Sequence, residues 1–129
     1  MEKFQAPLAL LARLFLAYIF VVEGWEKLFR YEETAAYMDA NGVPASLLPL
    51  VIMTELGGGI LVALGFMTRY AAIALAGFCL LTALLFHTDF VNAEQLINFN
   101  KNIAIAGGFL ALAAFGPGAL SIDERRRRT

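Results

Sequence analysis

The chain has 129 residues, of which 60% are hydrophobic and 16% charged, and its mean hydropathy is +0.68. A soluble domain averages about 45–50% apolar and about 25% charged residues, so this chain carries more apolar side chains than a globule of its size can bury. The composition excludes a disordered protein, a nucleic-acid-binding protein and a disulfide scaffold, since the single cysteine, Cys79, cannot form an internal disulfide. It predicts an integral membrane protein in contact with the lipid bilayer.

Four apolar stretches are long enough to cross a bilayer, which takes roughly 20 helical residues. They cover about residues 6–25, 47–67, 70–87 and 98–115. None of them alternates with a period of two, as the strands of a lipid-facing barrel do. We therefore predict an all-α fold, a four-transmembrane-helix bundle made by one domain over residues 1–129.

The connections between the spans differ in length and polarity. Residues 26–46 are charged, and the turn dipeptide Asn41-Gly42 followed by Pro44 predicts that a short interfacial helix, from about Tyr31 to Ala40, ends there. Residues 68–70 predict a tight hairpin between spans two and three. Residues 116–118, Gly-Pro-Gly, end the fourth span ahead of a polar, basic tail over residues 119–129.

The placement of lysine and arginine predicts the orientation of the bundle. With four spans, both termini lie on the same side as the turn at Arg69. That side carries six basic residues: Lys3, Arg69, Arg125, Arg126, Arg127 and Arg128. The other side carries Lys27, Arg30 and Lys101. Both termini are therefore expected to face the cytoplasm. No small-residue cleavage site follows the first span, so we do not expect it to be removed as a signal peptide.

Two ionisable residues are predicted inside the membrane, where a charged side chain is costly and usually functional. Arg13 lies about five residues, roughly 8 Å, inside the first span, close enough for its long side chain to reach the headgroups. Glu55 lies near mid-span and must be protonated, paired or in a wet cavity. We expect Arg13 and Glu55 to pair, either to fix helix packing or to serve catalysis. The following Gly57, Gly58 and Gly59 allow close approach of a flat ligand or of another helix.

A polar cluster is predicted in the leaflet opposite the termini. Its members lie at or just beyond the ends of spans one, three and four: Glu23, Trp25, Lys27, His87, Asp89, Asn98, Asn100, Lys101 and Asn102. Glu23 and Lys27 have the favourable i, i+4 order, and Trp25 fits an interfacial aromatic belt. His87 titrates nearest neutral pH and is a candidate for proton exchange, although a helix C-terminus also favours histidine without any function. One histidine and one cysteine are too few ligands for a metal site, so none is expected.

Several segments together resemble the DoxX family of small four-helix membrane proteins. The segments are Phe20-x-x-x-Gly24-Trp25-x-Lys27-Leu28, Tyr37-Met38, Glu55-Leu56-Gly57-Gly58-Gly59, Phe86-His87, Lys101-Asn102-Ile103-x-Ile105-x-Gly107-Gly108 and Gly116-Pro117-Gly118. The resemblance covers essentially the whole chain. It implies a bacterial inner-membrane protein, similar to the branch described as quinol oxidase subunits.

The resemblance also implies partners. Relatives act as subunits of a thiosulfate:quinone oxidoreductase or as anchors that join soluble redox enzymes. It implies ubiquinone or menaquinone as the cofactor, none covalently bound, and a redox protein or a second copy of the chain as partner. The four arginines at 125–128 are typical of a topology signal that also contacts anionic lipids.

Three function classes follow from these residues. The first is a membrane subunit of a quinone-linked oxidoreductase, with His87 and Glu55 as candidate catalytic residues and with Lys101 and Asn102 donating hydrogen bonds to a quinone. The second is a non-catalytic scaffold for soluble redox enzymes. The third is a small proton-coupled transporter, which an acidic residue at mid-depth also fits.

Overall fold

The computed structural model describes residues 1–129 and contains helices and turns without strands. The α-helices are α1 (Glu2–Phe29), α2 (Tyr31–Ala40), α3 (Leu48–Ile52), α4 (Gly58–Leu64), α5 (Thr68–Phe86), α6 (Ala93–Phe115) and α7 (Ile122–Arg128). Four helical segments are long and apolar enough to span a membrane: Glu2–Phe29, Ala45–Leu64, Thr68–Phe86 and Ala93–Phe115. The predicted all-α fold with four spans is confirmed.

The first helix is longer than the predicted span. It has 28 residues, about 42 Å at 1.5 Å per residue, against roughly 30 Å of bilayer hydrocarbon. The chain bends at Arg30, whose backbone leaves the helical region (φ −119°, ψ 39°), and α2 begins at the next residue. The interfacial helix over Tyr31–Ala40 is therefore found where it was predicted, followed by Gly42 at φ +76°.

The second span is a composite of three helix types. A 3₁₀ turn (Ala45–Leu47) leads into α3, a π-helical turn (Met53–Gly57) follows, and α4 completes the span. A π-helical turn inside an α-helix is rare and frequently marks a functional site, and Glu55 lies at its centre. Nothing in the hydrophobic pattern predicted this turn.

The turn between the second and third spans lies a few residues earlier in the sequence than predicted. The chain reverses at residues 65–67, because Gly65 (φ +69°) and Met67 (φ +49°) both adopt the left-handed conformation. Thr68 and Arg69, which were assigned to the hairpin turn, already belong to α5.

Small residues set the register between the first two spans. A Cβ added to Gly24 would come within 2.9 Å of Leu56 Cβ, and one added to Gly59 would come within 2.9 Å of Val21 Cγ2. Such close approach is the usual way in which membrane helices pack. The two helices run antiparallel, so the last turns of α1 lie beside the π-helical turn.

The main core lies between these helices and the α5–α6 hairpin. Phe20 and Phe109 meet edge to face with their ring centroids 5.4 Å apart, and small side chains such as Ala72 and Ala76 fill the rest. A second, smaller core joins α2 to α3 through Met38, Leu48 and Ile52. The interfacial helix is thus packed onto the bundle.

The basic tail is folded. After α6 ends at Phe115, Ser121 caps α7 by accepting a hydrogen bond from the backbone N–H of Glu124 at 3.2 Å. The sequence predicted only a polar tail here, because a seven-residue helix depends on its contacts with the rest of the chain.

Candidate functional site

Arg13 and Glu55 do not form the predicted pair. Arg13 is fully buried, and its guanidinium donates to the backbone carbonyls of Val62 (3.2 Å) and Ala63 (3.0 Å), and to that of Leu120. The register explains the error. Gly24 lies beside Leu56, next to Glu55, and Arg13 is eleven residues before Gly24, about 16 Å along the helix.

Arg13 belongs instead to a group of side chains that satisfy helix ends near the termini. It donates to carbonyls at the C-terminal end of α4. Arg69 likewise donates hydrogen bonds to the carbonyls of Ala113 (3.1 Å) and Ala114 (3.0 Å) at the end of α6. Asp123 accepts from the backbone N–H groups of Met67 (2.8 Å) and Thr68 (2.9 Å) at the start of α5. Groups at helix ends usually have no partner within their own helices, although the Val62 carbonyl also accepts from the backbone N–H of Gly65 at 3.1 Å. The hydrogen bonds at this end of the bundle therefore have a structural role.

The carboxylate of Glu55 is paired with Lys27. Lys27 Nζ lies 3.1 Å from Glu55 Oε1 and 3.2 Å from its Oε2, and 3.4 Å from Glu23 Oε2. Exposure of the three side chains rises from 4% for Glu55 to 21% for Lys27 and 50% for Glu23. The predicted i, i+4 pair of Glu23 and Lys27 is therefore present, and the buried Glu55 joins it because α1 extends past the π-helical turn.

A cavity of about 800 Å³ opens beside this ion pair. It lies between α1, α2, the second span, α5 and α6. Its polar lining is Glu23, Lys27, Thr34, Thr54, Glu55, Thr82, His87, Asn98, Lys101 and Asn102, and its other walls are aliphatic and aromatic. Small-molecule sites typically have about 300–1,000 Å³, apolar walls and a few convergent polar groups. This cavity has those properties.

The charges around the cavity balance. Glu23 and Glu55 carry two negative charges, and Lys27 and Lys101 carry two positive charges. Burial lowers the pKa of His87 below its ordinary value, so its imidazole is neutral at pH 7. The formal charges of these side chains cancel, so the cavity has no net charge that would attract an ion of one sign.

His87 faces the cavity with one free ring nitrogen. Its Nδ1 is buried and has no hydrogen-bond partner in the chain, an uncommon state that costs free energy. The position follows from the end of α5 at Phe86, after which His87 leaves the helical conformation (φ −129°, ψ 43°). Because the nitrogen is itself buried, a ligand in the cavity would reach it only if the imidazole ring turned.

The structure brings together most, but not all, of the predicted polar cluster. The residues of the cluster that line the cavity are Glu23, Lys27, His87, Asn98, Lys101 and Asn102, whereas Asp89 and Asn100 do not line it. Trp25 does not line it either and instead contacts Phe29, with ring centroids 5.3 Å apart. Sequence reasoning missed Thr34 and Tyr37 because they come from α2, which had no assigned role. Tyr37, followed by Met38, belongs to the segments that resemble the DoxX family, and this was the available signal for it; Thr34 had only its position on a short helix next to a membrane span.

The three glycines have separate positions. A Cβ on Gly58 would meet Leu75, and one on Gly59 would meet Val21, so these two serve helix packing. Gly57 has no such neighbour within 4 Å, and none of the three lines the cavity. Of the two predicted alternatives, Gly58 and Gly59 therefore show close approach of another helix, and the approach of a flat ligand to their backbone is not what the packing supports. No three His, Cys, Asp or Glu side chains converge as metal ligands would.

Four helices long and apolar enough to span a membrane, with an amphipathic cavity between them, define a small multi-pass membrane protein. The DoxX family profile matches residues 8–88. The chain is 48% identical over 124 residues to the inner membrane protein YqjF of Escherichia coli (strain K12), covering 96% of this chain and 95% of that protein. It is 38% identical over 125 residues to the inner membrane protein YphA of the same strain, covering 92% and 89%. The chain belongs to the DoxX family. No solved structure matches it significantly.

Proposed function

We propose that this DoxX-family protein resides in the bacterial inner membrane and binds the headgroup of a quinone or quinol in its cavity, as a membrane subunit of a quinone-linked oxidoreductase system. The location follows the two relatives, both of which are named inner membrane proteins. The observation that supports the ligand is the cavity itself: about 800 Å³, apolar walls, balanced charges and the unpartnered His87 Nδ1.

The residues of the cavity fit the chemistry of this ligand. Its two carbonyl oxygens need hydrogen-bond donors, and Lys101 and Asn102 of α6, which line the cavity together with Glu55, can supply them. A quinone supplies two-electron redox chemistry that is coupled to two protons. His87 is the group in the cavity that titrates nearest neutral pH. It is therefore placed to exchange protons with a bound headgroup, and Glu55 with Lys27 forms the second ionisable position.

Binding of a benzoquinone to the purified protein tests this proposal directly. Lys101→Met should weaken binding at least about tenfold, since a charged hydrogen bond contributes about 1.5–3 kcal/mol, and His87→Phe should weaken it as well. Trp25→Phe is the matched control, because Trp25 lies outside the cavity, and it should bind like the wild type.

A gently purified sample should also carry an isoprenoid quinone in its lipid extract. If no quinone co-purifies, and saturating benzoquinone neither binds nor stabilises the protein, the function as a non-catalytic scaffold becomes the better account.

A further inference from the structure

The cavity is lined by apolar side chains that are also exposed on the outer surface of two spans. Leu47 and Leu50, at the start of the second span, are 44% and 60% exposed, and Leu81 and Leu85 of α5 are 55% and 43% exposed. A side chain that lines an open cavity and is also largely exposed lies near the rim of that cavity, and on an apolar stretch of a spanning helix this rim faces lipid. These four leucines therefore mark an opening of the cavity toward lipid.

The helix packing leaves room for this opening. α5 packs closely along α6 and against α4, whereas α3 packs against α1 and α2. The space between α3 and α5 is bounded on one side by the π-helical turn, which α5 contacts, and on the other by Phe86. The gap lies in the leaflet opposite the termini, at the level of the polar side chains.

The route from water is covered by α2. Tyr37 stacks on Phe86 with ring centroids 5.5 Å apart and an interplanar angle of 19°. Met38 is 4% exposed and packs with Leu48 and Ile52 in the small core. Packed side chains of α2 therefore cover part of the aqueous end of the cavity, where Tyr37 remains 51% exposed, while the leucine-lined side is apolar and faces the bilayer.

We propose that the ligand enters the cavity sideways from the bilayer, through the gap between α3 and α5, and that its hydrocarbon chain stays in this gap. The ligand class is then a membrane-resident amphiphile with a compact neutral head and at least one long apolar chain. This inference rests on the proposed binding of a headgroup, and it adds the route and the position of the chain. A chain gains little free energy by moving from lipid to leucine, since both are apolar. The headgroup of the ligand thus provides the selectivity, and its hydrocarbon chain determines that the ligand enters from the bilayer.

Photo-crosslinking in nanodiscs tests the route. The probe is a benzoquinone with a ten-carbon chain that ends in a diazirine, and mass spectrometry locates the label. We expect labelling at Leu47, Leu50, Leu81 and Leu85, and its loss on addition of excess unlabelled decyl benzoquinone. Labelling of Tyr37 or Met38 that is lost in the same way would overturn the lateral route in favour of entry past α2.

Two tryptophan substitutions provide a second readout. Leu50→Trp with Leu81→Trp should narrow the gap and lower the initial rate of competed labelling at least tenfold. Ile73→Trp is the matched control, because Ile73 is 58% exposed on the same helix and does not line the cavity. An unchanged rate in the double variant would contradict the lateral route.

The two proposals fail differently. Absence of any competed labelling, together with no binding of a tail-less benzoquinone, would overturn the binding function and the route with it. Binding of the tail-less quinone without labelling in the gap would overturn the route alone.

Discussion

At the scale of single residues, the choice of partner for Glu55 depends on helix register. The sequence contained both Arg13 and Lys27 as candidate cations, and intramembrane depth favoured Arg13. The contact between Gly24 and Leu56 places Lys27 beside the carboxylate and Arg13 beyond its reach. The sequence gives the approximate depth of a residue along its own helix. The axial offset between two helices depends on how their side chains pack, and the sequence pattern does not reveal it.

The ion pair of Lys27 and Glu55 predicts a strong energetic coupling. Lys27→Met leaves a buried carboxylate without a partner, and such a change costs about 3–5 kcal/mol of unfolding free energy. Adding Glu55→Gln should restore part of that loss, because the uncompensated charge is removed. A double-mutant cycle measured by reversible unfolding in detergent micelles gives the coupling.

Two controls separate this pair from its neighbours. Glu23→Gln removes a carboxylate that is 50% exposed and should cost less than about 1 kcal/mol. Arg13→Met and Glu55→Gln should add without coupling, since the residues are far apart. Additive losses for Lys27→Met and Glu55→Gln would contradict the pair.

His87 predicts a pH dependence of stability. Burial lowers its pKa in the folded protein, so below the ordinary value of about 6.5 the unfolded chain binds the proton more readily than the folded one. This residue therefore costs no stability above that pH, and the protein loses stability as pH falls from about 6.5 toward the folded pKa. His87→Gln should remove this part of the decrease between pH 7.5 and 5, measured as the difference in thermal unfolding midpoint. Parallel curves for wild type and variant would show that His87 does not contribute.

At the scale of elements, helices were predicted better than their ends. Spans two to four were predicted from their apolar composition, and α2 was predicted from the Asn-Gly turn that ends it. Both signals are local in the sequence. The end of α1 was placed at about residue 25 because Glu26, Lys27 and Arg30 are charged, yet Lys27 is stabilised inside the bundle by Glu55. The π-helical turn and α7 were missed for the same reason: each depends on contacts from other elements, such as those of Asp123 with α5.

Arg13 predicts how strongly these helix ends depend on one side chain. Arg13→Met leaves the carbonyls of Val62, Ala63 and Leu120 without this donor, and a buried unsatisfied group costs about 1–3 kcal/mol. We expect a loss of at least about 2 kcal/mol, together with earlier proteolytic release of α7. Arg125→Met is the control, as its side chain is exposed, and it should change stability by less than about 0.5 kcal/mol. Equal stability of both variants would contradict the capping role.

At the scale of the whole molecule, the structure separates two ends with different tasks. The end with the termini is held by hydrogen bonds from Arg13, Arg69 and Asp123 to helix ends. The other end contains the cavity, its ion pair and the covering helix α2. The site was only partly predictable, because its residues come from five separate parts of the chain and only the fold shows which of them face one another.

This division also sharpens the predicted orientation. Lys27 and Lys101 were counted as basic residues of the far side, but both line the cavity, and Lys27 is paired with Glu55. Arg30 is the remaining basic residue of the far side. Arg13 bonds to Leu120 and joins the terminal side, together with Lys3, Arg69 and the four arginines at 125–128. The asymmetry in positive charge is larger than the sequence count suggested, so both termini should face the cytoplasm.

Reporter fusions test this orientation. A fusion after Thr129 should be active with a cytoplasmic reporter, and an insertion within residues 32–41 should be active with a periplasmic one. Replacing the four arginines at 125–128 with glutamine removes most of the bias but leaves the hydrophobic spans intact, so a measurable fraction of molecules should insert in the opposite orientation. A periplasmic C-terminus in the unmodified chain would show that the basic tail does not set the topology, and the cavity would then lie in the cytoplasmic leaflet.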